Sequence, residues 1–86
     1  MFAKLFENTK FGQILVKIDT HPEEHSPEVR VFFEPPDLGV CSTAFTFEDS
    51  EEGWDAAEKA FDKMDIVKVE KIVESIVKRT ELFNNV

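Results

Sequence analysis

Between Gly12 and Asp19 apolar and polar positions alternate: Ile14, Val16 and Ile18 point one way, Gln13, Leu15, Lys17 and Asp19 the other. A period of two carried by β-branched residues predicts a half-buried strand over 12–19. Thr20 to Pro27 is polar, with Pro22 and Pro27 as breakers, and reads as a loop. A second strand is predicted over 28–34, with Val29, Val31 and Phe33 inward and Arg30, Phe32 and Glu34 outward. Pro35-Pro36-Asp37-Leu38-Gly39 ends it, because proline removes a ladder donor and glycine supplies a turn conformation. A third strand is predicted over 40–47, with Cys41, Thr43, Phe45 and Phe47 on one side. Connections this short join neighbouring antiparallel strands, giving a three-stranded meander. Residues 1–10 read as a lead-in. Phe2, Leu5 and Phe6 share a helical face there, but the segment is too short for a stable helix and is expected to pack as one turn or an extended arm.

After Phe47 the period changes. Trp54, Ala57, Phe61 and Met64 recur at spacings of three and four, predicting an amphipathic helix over 50–63. Asp49 with Glu52 three residues on fits a capping box with Asp in place of Ser or Thr, and Ser50 is an equally good cap. Gly53 is expected to weaken the first turn by up to about 1 kcal/mol relative to Ala. A second helix is predicted over 66–82, capped by Asp65, with a stripe of Ile66, Val69, Ile72 or Val73, Ile76, then Thr80 or Phe83. A sheet with one apolar face and two striped helices is best satisfied when the helices cover that face. The fold class is therefore α+β: a three-stranded antiparallel meander followed by two helices packed on one face, a βββαα two-layer sandwich. Its expected core is Ile14, Val16, Val31, Phe33, Phe45, Phe47, Trp54, Phe61, Val69, Ile72 and Ile76.

Eighty-six residues make a single domain, 1–86, burying roughly 60–65% of the surface its unfolded chain exposes. Nine Phe and one Trp within a hydrophobic content of 42% are too many for a disordered acidic protein. A lone Cys41 excludes an internal disulfide, which favours a reducing compartment; with no apolar leader visible at the N-terminus, a cytoplasmic location is expected. No apolar run approaches 18 residues, so no membrane partner is expected.

The charge is uneven. Residues 19–58 hold twelve acids against one base, Arg30, for a net −11, while residues 1–18 carry +2 and residues 59–86 carry +1, making −8 in all. Such a distribution repels nucleic acid and anionic membranes and attracts a basic surface. The densest cluster is Glu48, Asp49, Glu51, Glu52, Asp55 and Glu58, with Glu51, Asp55, Glu58 and Asp62 at i, i+4, i+7 and i+11 on one helical stripe. Acids in a first turn are favoured by the helix dipole, which accounts for three or four of them but not for the absence of any base from Glu48 to Glu58. The cluster is the candidate partner-binding surface; the competing reading is a solvated helix face. Leu15 and Phe32 fall on the outer sheet face with Lys17, Arg30, Ser42 and Thr46, and form a candidate apolar contact patch through which a homodimer could pair.

No catalytic constellation emerges. His21 and His25 in His-Pro-Glu-Glu-His are spaced four apart, but Pro22 and Pro27 bracket a loop rather than a helix, the order of residues is wrong for a zinc protease, and no third ligand is identifiable. Asp19, Glu23 and Glu24 lack the alternation and central glycine of a calcium loop. Cys41 has no positioned base, the serines and threonines form no nucleophile elbow, and three glycines make no phosphate loop. Bases on the second helix are interleaved with acids, so no nucleic-acid stripe is expected. The reading is a non-enzyme without metal or cofactor, either an acidic interaction module or a small structural or self-associating subunit.

The run Phe11-Gly12-Gln13-Ile14-Leu15-Val16, then Glu34 to Cys41 through Pro35-Pro36-Asp37-Leu38-Gly39-Val40, then Asp49-Ser50-Glu51-Glu52-Gly53-Trp54-Asp55, resembles small acidic proteins encoded by temperate phages and prophages. The resemblance covers most of the chain and implies a host-targeting accessory factor: an inhibitor of a host protein or a mimic of nucleic-acid charge. It implies no role for any single residue.

Overall fold

The computed structural model describes residues 2–21, 23–34 and 39–84, and of the last five only the backbone. The order of elements is β1 (Phe2–Thr9), β2 (Gly12–Thr20), β3 (Pro27–Phe33), β4 (Cys41–Thr46), α1 (Glu51–Asp62) and α2 (Ile66–Asn84). The sheet is an antiparallel meander in the order β1-β2-β3-β4. The α+β class and the two helices stand; the sheet has four strands rather than three.

The additional strand is the N-terminal lead-in. Residues 2–9 do alternate, with Phe2, Lys4 and Phe6 opposite the inward Ile18, Val16 and Ile14, and Ala3 and Leu5 opposite the outward Lys17 and Leu15. Lys4 in the middle of the inward row masks the period. It is there because its Nζ donates to the carbonyls of Phe61 (2.7 Å), Asp62 (3.2 Å) and Met64 (3.4 Å), and lies 4.8 Å from the Phe61 ring centroid. An ammonium with three donors thus bonds carbonyls at and just beyond the end of α1, of which that of Phe61 also accepts from the Met64 N–H at 3.1 Å, and opposes the negative end of the helix dipole. A tight connection through Lys10 and Phe11 joins β1 to β2. Gly12 takes φ +82° there, and the Thr9 hydroxyl bonds the Gly12 carbonyl while accepting from the Phe11 N–H.

The core lies between the inner sheet face and the helices: Ile14, Val16, Ile18, Val29, Val31 and Phe33 against Ala57, Phe61, Met64, Val69 and Val73. Phe47, Trp54, Ile72 and Ile76 are half-buried at its margin. Phe45 is not in the core. It points inward from β4, yet is 42% exposed because β4 is an edge strand that the helix layer does not close over. Most of the turn expected at Pro35–Gly39 lies outside the described residues, as does Pro22 and the side chains of Thr80 and Phe83; Gly39 itself has the positive φ, +68°, expected of a turn glycine.

Candidate functional site

The acids of the β4–α1 corner are held by a tight chain reversal. Ser50 is the N-cap of α1: its Oγ accepts from the Gly53 N–H at 3.0 Å, its carbonyl from the Trp54 N–H at 2.9 Å, and its own N–H bonds the Glu48 carbonyl at 2.9 Å. Asp49 is therefore not the cap, and Glu52 falls one position short of closing a box with Ser50; the third helical position is Gly53. That glycine does more than weaken a turn. A Cβ on it would sit 1.7 Å from the Glu48 carbonyl oxygen, so only glycine lets the approaching strand end pass this close to the helix. The close pass brings the Glu48 backbone against the buried side of the first turn at Gly53, while Glu51, Asp55 and Glu58 follow the exposed side of α1.

All six side chains are exposed. Among the described residues the ion pairs are Arg30–Glu28 and Lys78–Glu74, so none of the six is neutralised by a neighbour. The helix beneath them is fixed by burial of Gly53, Ala57 and Phe61 and by the Lys4 clasp at its far end. Six exposed carboxylates with no ion pair among the described residues thus lie within residues 48–58, just beyond the end of β4 and on the first turns of α1.

On the outer sheet face, Leu15 and Phe32 are direct cross-strand partners, and Leu5, the partner of Leu15 on β1, extends them to a row across three strands. The row floors a depression of about 420 Å³ completed by Gln13, Glu34 and Val40, the last 70% exposed. Lys17 reaches over the Phe32 ring, with Nζ 5.9 Å from its centroid. Leu5 and Val40 were not legible as part of this patch from the sequence, since one belongs to the unrecognised strand and the other follows the turn.

The His21–Ser26 segment is built on its own backbone. His21 Nδ1 accepts from the N–H groups of Glu23 (3.2 Å) and Glu24 (3.1 Å), its N–H donates to the Ser26 carbonyl (2.7 Å), and His25 closes the turn at φ +58°. These bonds engage Nδ1 of His21 and fix the orientation of its ring. No trio of His, Cys, Asp or Glu able to hold a metal ion occurs among the described residues. Cys41 is half-buried, with its Sγ 3.9 Å from the Gly39 carbonyl. No described helix is long and apolar enough to cross a membrane.

A further concavity, of about 470 Å³, separates β4 from one flank of α2. Thr43, Phe45, Ile72 and Ile76 line it together with Lys68, Lys71 and Arg79, and no described carboxylate does. The interleaving of acids and bases along α2 conceals a segregation in space: Glu70 accepts from the Lys10 N–H at 2.7 Å and Glu74 pairs with Lys78, both away from this cleft. The signal was present as a spacing, since Lys68, Lys71, Ser75 and Arg79 recur at i, i+3, i+7 and i+11. No known protein family, curated protein or solved structure matches this chain.

Proposed function

We propose that this protein is a non-catalytic interaction module that occupies a basic surface of another protein through the acids of its β4–α1 corner. The observation that carries this reading is that Glu48, Asp49, Glu51, Glu52, Asp55 and Glu58 are all exposed and none has a cationic partner among the described residues. Carboxylates in such an array stand in for phosphates, and their field raises the association rate with a cationic groove, an effect that salt suppresses. The resemblance to small acidic phage proteins supports a host protein as the partner, with a nucleic-acid-binding groove as the surface occupied.

Affinity capture from host lysate, with wild type and the Glu51→Gln, Asp55→Asn, Glu58→Gln variant as baits at low and high salt, tests this. Wild type should retain a basic protein at low salt that the variant and high salt both release. An identical set of captured proteins on both baits would reject the acidic corner as the binding surface.

A second reading has its own observation. The in-register Leu5–Leu15–Phe32 row supports self-association through the outer sheet face. On that face Lys17 and Arg30 offset Asp19 and Glu28 and leave Glu34 at the rim of the depression, so a second copy meets less repulsion than a net charge of −8 implies. Sedimentation should then show a dimer at micromolar concentration that Phe32→Glu converts to monomer. A wild-type monomer would remove this reading.

A further inference from the structure

In the cleft between β4 and α2 three cations gather on apolar lining, and no described carboxylate lines it. In a chain of charge −8 this is a local reversal of sign. Lys68, Lys71 and Arg79 are exposed and in no ion pair among the described residues; Arg79 only touches the Ser75 hydroxyl, at 3.2 Å. Beneath them Phe45 leaves 42% of its surface uncovered.

The strand bordering the cleft is a free sheet edge. Phe47 N–H bonds the Pro27 carbonyl on β3, so by alternation Cys41, Thr43 and Phe45 also turn their backbone groups to β3. Ser42, Ala44 and Thr46 turn theirs outward, and no described backbone group pairs with them. The two edges of the sheet differ in protection. Lys4 places an inward charge on β1, a device that discourages strand addition, whereas β4, Cys-Ser-Thr-Ala-Phe-Thr, carries neither charge nor proline.

We infer that β4 and the adjoining cleft bind an acidic, extended peptide segment of a partner by strand addition. Backbone groups of the peptide pair with Ser42, Ala44 and Thr46. Its inward side chains alternate between two environments: apolar ones enter beside Phe45, Ile72 and Ile76, and carboxylates meet Lys68, Lys71 and Arg79. Main-chain bonds supply affinity in this mode, and the pockets along the edge supply selectivity. The cations explain why the segment is acidic, and the uncharged open edge explains why it is extended. This surface shares no residue with the acidic corner, so each stands or falls alone.

The probe is a fluorescein-labelled, acetylated heptapeptide, Val-Thr-Glu-Thr-Val-Thr-Glu, whose one strand face alternates valine and glutamate, titrated with the full chain and followed by anisotropy. Amide chemical shifts map its position. The expected result is saturable binding that weakens with salt, shifts centred on Ser42, Ala44 and Thr46, and no binding of the lysine–valine counterpart. Lys71→Glu with Arg79→Glu should weaken binding at least tenfold. Ala44→Pro removes an outward N–H without touching the β3 ladder, so it should abolish binding at an unchanged melting temperature; Ala44 methylated at its backbone nitrogen by semisynthesis serves if the proline variant does not fold. Equal binding of the lysine–valine peptide, or no binding at 1 mM, would overturn the proposal. So would binding that survives the loss of the Ala44 N–H and is competed by dodecanoate, which would assign the cleft to a small anionic amphiphile instead. Concentration-dependent self-association, abolished by the same variants and blocking the peptide, would assign it to a second copy and overturn it equally.

Discussion

The two helices have the same amphipathic design and opposite destinies. α1 is fixed at both ends: Ser50 and the Gly53–Glu48 approach hold its start, and Lys4 reaches from a distant strand to hold three carbonyls at and just beyond its end. It buries Gly53, Ala57 and Phe61, and the face it leaves to solvent is acidic. α2 is capped by Asp65, whose Oδ1 accepts from the Lys68 N–H at 2.8 Å, and it is tied to the β1–β2 turn through Glu70 and Lys10. It buries Val69 and Val73, and it leaves Phe45 beside it uncovered along a basic flank. The difference teaches that rigidity and charge are distributed together here. The acids lie on the helix that is fixed at both ends, whereas the bases border a gap in the helix layer.

The sharpest way to break the lock on α1 is to empty its core contact. Phe61→Ala should cost about 3–5 kcal/mol, a large part of a small domain's stability, measured by denaturant unfolding. Gly53→Ala is next and is the more diagnostic. In an isolated helix the change stabilises by up to about 1 kcal/mol; here the added methyl meets the Glu48 carbonyl oxygen at 1.7 Å, and a loss of about 1–3 kcal/mol is expected from the forced backbone shift. A stabilised Gly53→Ala protein would mean that the Glu48 backbone does not pass this close to the helix. Lys4→Met keeps the aliphatic stem but removes the donors, and should cost about 1–2 kcal/mol by hydrogen bonding to partly buried carbonyls. The loss should be smaller in high salt only to the extent that the helix dipole contributes.

What the sequence made legible follows from where each signal is local. β2, β3 and both helices were readable because their side-chain periods run unbroken over six or more residues. β1 was hidden by Lys4, an inward polar residue whose reason lies some sixty positions away at Phe61–Met64. Phe45 was misplaced because alternation gives the face of a residue but not whether a helix arrives above it. The acidic corner was visible because its charges are consecutive in the chain. The basic cleft was not, because helical geometry must first sort Lys68, Lys71 and Arg79 from Glu70 and Glu74. Gly53 shows the same limit: propensity records its cost to a helix, and only the Glu48 backbone passing beside it explains its presence.

The weakest contact in the comparison lies on the outer surface of α2. Glu74 bonds Lys78 at 3.1 Å, and this hydrogen bond, with the lysine's charge, lowers the Glu74 carboxyl below its usual value of 4.5. The order, Glu four residues before Lys, is the favourable one on a helix. A depressed folded-state value means the carboxylate form is preferred in the native protein, so the pair stabilises the fold above the unfolded-state value and loses that contribution as pH falls through the lowered one. Wild type should therefore melt slightly above Glu74→Gln near neutral pH, and the gap should close as the pH drops below about 4.5. Because the group is exposed, the gap should be small and should shrink with salt. Removing this pair should leave the melting of Phe61→Ala and Gly53→Ala backgrounds displaced by the same small amount, as expected for sites that share no partner. A larger displacement in the Gly53→Ala background would show that α1 and α2 are mechanically coupled, and that the lock on one helix also sets how firmly the other borders its cleft.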